Sequence, residues 1–127
     1  MLKFVNNKTM KTPNELFEMF AVIATEAKCG ITDLMMKHNV TTLNTAEAMY
    51  DYGFDFVDIS VYDRKMDAMF YEPISSVVLD DTGLHLFYNG ETDGECYEPT
   101  TTDWMNVYSL VYDIFNAIDD GTYENFR

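Results

Sequence analysis

The chain has 127 residues, the size of one ordinary domain, and its hydrophobic content of 47% excludes intrinsic disorder despite a formal net charge of −14. That charge repels polyanions, so nucleic acid and anionic membrane surfaces are poor direct partners. No apolar run approaches the roughly 18 residues that a membrane-spanning helix needs.

The opening residues, Met1-Leu2-Lys3-Phe4-Val5-Asn6-Asn7-Lys8, lack the apolar stretch of a signal peptide, so a cytoplasmic location with free thiols at Cys29 and Cys96 is expected. A first helix is predicted after Thr12, with Pro13 at its first position and Glu15 completing a capping box. Leu16, Phe17, Phe20, Ile23, Ala24 and Ala27 recur at helical spacing, and Gly30 reads as its stop. Thr32-Asp33 then starts a second short helix ended near Asn39. A third, Ala46 to Tyr52, is capped by Asn44 or Thr45 and stopped by Gly53.

The period then changes from helical to two. Val57, Ile59 and Val61 alternate with Asp58, Ser60 and Tyr62, as in a half-buried strand, and Asp63-Arg64-Lys65 is a turn. Met66 to Tyr71 reads as a second strand closed by Pro73. Ile74 to Leu79 and Leu84 to Tyr88 flank Asp80-Asp81-Thr82-Gly83, a hairpin loop, and Asn89-Gly90 begins another turn. The last helix has the clearest stripe: Trp104, Val107, Val111, Ile114, Phe115 and Ile118, with Thr100 or Thr102 at its start and Gly121 at its end. Helices, an antiparallel meander of three to five strands, and a C-terminal amphipathic helix on one sheet face define an α+β fold in a single globular domain spanning residues 1–127.

Charge is distributed unevenly along this order. The first fifty residues balance five acids against five lysines, whereas residues 66–126 hold thirteen carboxylates and no lysine or arginine. Glu91, Asp93 and Glu95 alternate, so in an extended segment they point one way at a spacing of about 7 Å. Asp119 and Asp120 fall at the C-terminus of the last helix. There the negative end of the macrodipole costs each exposed acid roughly 0.3–1 kcal/mol. Acids placed against local stability point to selection for something else.

Motifs for other chemistry are weak. Asn89-Gly90-Glu91-Thr92-Asp93-Gly94 resembles half of a calcium loop, but Thr100 stands where a bidentate Glu is needed. Cys29, His38, His85 and Cys96 lack paired ligand spacing, and no glycine-rich phosphate loop or G-x-S-x-G is present. A helix-turn-helix reading of residues 32–52 fails because its recognition segment carries Glu47 and Asp51 instead of Arg or Lys. No catalytic residue, cofactor or metal site is therefore expected.

The expected function is a small acidic, non-enzymatic protein-binding module. Its anionic face imitates nucleic acid and occludes a basic, nucleic-acid-handling protein, as an inhibitor of phage or mobile-element type would. The expected partner-binding residues are Asp80, Asp81, Glu91, Asp93, Glu95, Glu98, Tyr108, Tyr112, Asp119 and Asp120. Two alternatives stand beside it: a homo-oligomeric module whose acids serve solubility, and a carboxylate and divalent-metal enzyme.

Overall fold

The computed structural model describes residues 13–88, 94–96 and 98–123. The chain forms helix α1 (Pro13–Lys37), strand β1 (Thr42–Leu43), helix α2 (Thr45–Asp51), strands β2 (Asp58–Asp63), β3 (Ala68–Asp80), β4 (Gly83–Tyr88) and β5 (Gly94–Glu95), and helix α3 (Thr101–Asp120). All strand pairings are antiparallel, and α3 packs on the sheet, so the fold is α+β as expected. Thr12, the expected first cap, lies outside the described residues, as do the side chains of Glu15, Leu16, Phe17 and Phe20.

α1 corrects the sequence reading. It is one helix of 25 residues that runs through Gly30 without a break. Ala27, Ile31 and Met35 are buried on one stripe that keeps its phase across Gly30. A mid-helix glycine costs roughly 1 kcal/mol against alanine. Here it admits the ring of Tyr108 from α3: a Cβ on Gly30 would lie 2.5 Å from Tyr108 Cε1. The helix ends in a Schellman motif instead, with Asn39 at φ 58°, Asn39 N–H donating to Met36 O and Val40 N–H to Met35 O.

β3 is the second correction. It is a single strand of 13 residues that passes through Pro73. Its first half pairs with β2, and its second half with β4 and with the short β1. Ile74 N–H donates to Val57 O, which sets the alternation of the β2 ladder and leaves Pro73, opposite Asp58, at a position that makes no bond to β2. Among the described residues, pairing with β4 begins at Ile74↔Tyr88. The missing proline N–H therefore costs no bond of the β2 ladder. A register shift between Ile74 and Ser76 turns Ile74, Val77 and Leu79 to the core despite their uneven spacing.

The remaining elements follow their local signals. Asn44 caps α2 by accepting from Glu47 N–H at 3.0 Å. Asp63 Oδ1 accepts from Lys65 and Met66 N–H and closes the β2–β3 turn. Thr100 and Asp103 form a reciprocal capping box on α3, and Gly121 ends it at φ 80°. Tyr123 then folds back into the core, 1% exposed, and donates to Glu47 Oε1 at 2.8 Å. Burial, with that carboxylate beside it, pushes its phenol far above the usual range.

Candidate functional site: an acidic groove beside a projecting hairpin

A concavity of about 660 Å³ lies between α3 and the start of β2. Asp55, Phe56, Val57 and Asp58 enter from the segment before and into β2; Thr102, Asp103, Asn106, Ser109, Leu110 and Asp113 enter from α3; Tyr71 enters from β3. Among the described residues, no lysine, arginine or histidine lines it. Asp55, Asp58 and Asp113 are exposed, and Phe56 and Tyr71 are 62% and 72% exposed.

Asp103 holds the two walls together. Only 3% exposed, it accepts through Oδ1 from Ser60 N–H at 3.1 Å and from the Ser60 hydroxyl at 3.2 Å, and through Oδ2 from Thr100 N–H at 2.8 Å. Its oxygens are thus committed to the fold. The Cys96 thiol donates to Ser60 O, and burial pushes that thiol up to about 11, so it is a structural group and not a nucleophile. With both backbone groups of Ser60 occupied, the outer edge of β2 is closed to strand addition at its middle.

None of the eight described residues among those expected from the sequence lines this groove. Asp80 and Glu95 come together around His85, on the sheet face opposite Leu84 and Leu86. Asp119 is not an unopposed acid at the end of α3: His38, 81 positions away in sequence, places Nε2 2.9 Å from its Oδ1. The same imidazole stacks on Phe115 with centroids 4.3 Å apart and has Nδ1 2.9 Å from Leu34 O. Tyr108 is a half-buried packing residue against Gly30, with its ring 6.1 Å from that of exposed Tyr112. Asp81, Glu98 and Asp120 are exposed. Glu91 and Asp93 lie outside the described residues. Asp55, Phe56 and Asp58 carried a sequence signal in the polar–apolar alternation leading into β2, but nothing in it pointed to Asp113, 55 positions beyond Asp58, as the opposite wall.

The His85 network has a defined pH response. Hydrogen bonding to Glu95, opposed by burial and assisted by Asp80, raises the imidazole above its ordinary value. Asp80 is lowered, first by the Thr82 hydroxyl at 2.6 Å and Thr82 N–H at 2.8 Å. The His85 contribution is complete below the unfolded value of about 6.5 and disappears as pH rises through the raised folded value. The Asp80 contribution is present above about 3.9 and is lost as pH falls through its lowered value. Glu95→Gln should therefore move the His85 titration midpoint down towards the ordinary imidazole range in an NMR titration. An unchanged midpoint would place the cause elsewhere.

Beside the groove, β2 and the first half of β3 form a two-stranded arm. Tyr62, Met66, Met69, Phe70 and Tyr71 are all exposed on it. Its far face borders a second concavity of about 540 Å³, lined by Val61, Phe70, Glu72 and Tyr88 and by the turn residues Arg64, Lys65 and Met66. Among the described residues, no group of three His, Cys, Asp or Glu side chains is placed to hold a metal ion, and no helix is long and apolar enough to cross a membrane.

No family model matches the chain, and no curated protein or solved structure shows detectable similarity to it.

Proposed function

We propose that this chain is a non-enzymatic acidic binding module that receives a basic segment of another protein in the groove between α3 and β2. One observation carries the reading: exposed carboxylates from two separate elements, Asp55 and Asp58 on one wall and Asp113 on the other, face a space into which no cation enters from the described residues. Exposed Phe56 and Tyr71 add aromatic faces on which a guanidinium stacks. Carboxylates and aromatics together suit arginine-rich surfaces, the kind that nucleic-acid-handling proteins use to hold phosphates. Occupying such a surface is the inhibitory role that the charge supports. The two free thiols support work in the reducing cytoplasm.

Isothermal titration with a synthetic arginine-rich peptide tests this. Exposed charge pairs contribute about 0.2–1 kcal/mol each, so Asp55→Asn/Asp58→Asn/Asp113→Asn should weaken binding by roughly 3–150-fold. The control Asp80→Asn/Asp81→Asn should bind nearly as the parent does. Raising salt to about 0.5 M should slow association strongly. Equal binding by the groove variant, or loss in the control alone, would move the site away from the groove.

A further inference from the structure

The arm and the groove are complementary to each other but are held apart within one chain. Arg64 and Lys65, the only adjacent basic pair in the sequence, sit in the turn at the arm's tip beside Met66, which is 67% exposed. Among the described residues every ion pair involves a histidine, so neither Arg64 nor Lys65 has an ion-pair partner among them. Asp58 and the groove lie at the arm's base. Five residue steps separate the Asp58↔Pro73 pair from the Asp63↔Ala68 pair. At about 3.4 Å per residue that is roughly 17 Å, twice the Debye length of about 8 Å in physiological salt. Tip and base therefore interact little in one copy.

We infer that the β2–β3 arm is a self-association surface. Two copies related by a two-fold axis lie head to tail, and each sets its Arg64–Lys65 tip into the groove of the other. The inference rests on the proposed role of the groove as a receptor for basic segments. Charge complementarity selects a second copy as the occupant. The same chain carries the cationic tip and the anionic, aromatic-walled socket, and the offset between them is matched when an identical arm runs antiparallel. A single contact type used twice is also what a closed two-fold dimer requires. Exposed Met66 then meets Phe56 and Tyr71, and Met69 and Tyr62 along the arm leave water between the two copies. The closed middle of β2 makes this a side-chain interface and not a continuous sheet. Salt near 0.15 M screens the long-range repulsion between two chains of charge −14 while leaving contact pairs largely intact. A basic partner with more cationic side chains competes with the tip, so dimer and complex exclude one another at the groove.

Sedimentation equilibrium over about a hundredfold range of concentration should show a reversible monomer–dimer equilibrium. Arg64→Glu/Lys65→Glu should weaken it at least about tenfold, and Asp55→Lys/Asp58→Lys should do the same. Mixed together, these two charge-reversed proteins should restore the dimer as a heterodimer, because each tip again meets an opposite socket. Met66→Glu/Met69→Glu should also give monomers, with circular dichroism confirming that every variant is folded. A parent chain that stays monomeric at all concentrations, or a dimer indifferent to these changes, overturns the inference. So does failure of the mixture to restore association. Addition of the arginine-rich peptide should dissociate the dimer. A monomeric chain that still binds the peptide at the groove would remove self-association alone, whereas peptide binding indifferent to the groove variants would remove the proposed function itself.

Discussion

Asp103→Ala should destabilise the protein by about 3–5 kcal/mol. The carboxylate accepts from Ser60 N–H, the Ser60 hydroxyl and Thr100 N–H. Its loss leaves donors in or beside the core without partners, at about 1–3 kcal/mol each, and also removes half of the α3 capping box, which contributes about 1 kcal/mol. Asp103→Asn keeps an oxygen for Ser60 but turns an amide towards Thr100 N–H, so its cost should be roughly half. Urea unfolding separates the three proteins, and a loss below about 1 kcal/mol in the alanine variant would contradict this role. The same variant should bind the arginine-rich peptide more weakly, because Asp103 ties the α3 wall of the groove to β2.

Gly30→Ala should destabilise by about 1–3 kcal/mol, against the gain of about 1 kcal/mol that the same change gives in an ordinary helix interior. The added methyl meets the Tyr108 ring at 2.5 Å, so either the ring moves or α1 and α3 separate. In a Tyr108→Ala background the obstruction is gone and Gly30→Ala should become stabilising. The reversal of sign amounts to a coupling of about 2–4 kcal/mol in a double-mutant cycle. Additive behaviour would mean that glycine is present at position 30 for some other reason.

Where a structural feature depends on residues within a turn or two of each other, the sequence made it legible. α3 is the clearest case: the Thr100 cap, the buried stripe from Trp104 to Phe115 and the left-handed Gly121 all came from local spacing. The β3–β4 hairpin around Asp81-Thr82 and the Asn44 cap of α2 are of the same kind. Gly30 and Pro73 carry strong local signals that were overridden. Both are punctuation residues whose usual cost is offset by a distant neighbour, Tyr108 for the first and the hydrogen-bond phase of the β2 ladder for the second. The unbroken phase of Ala27, Ile31 and Met35 was the available sign that α1 continues.

The sequence by itself determined the charge, its concentration in the second half of the chain, the α+β order of elements and the caps that bound them. Tertiary structure alone decided which acids face one another. It gave Asp119 a histidine partner from the far end of α1, drew Asp80 and Glu95 onto His85, and set Asp113 across a groove from Asp55 and Asp58. The division has a physical cause. Backbone hydrogen bonding and side-chain periodicity act over three to four residues and leave a readable pattern. A carboxylate's neighbours across space depend on how helices and strands pack, and contacts such as His38 with Asp119, 81 residues apart, leave no trace in local spacing.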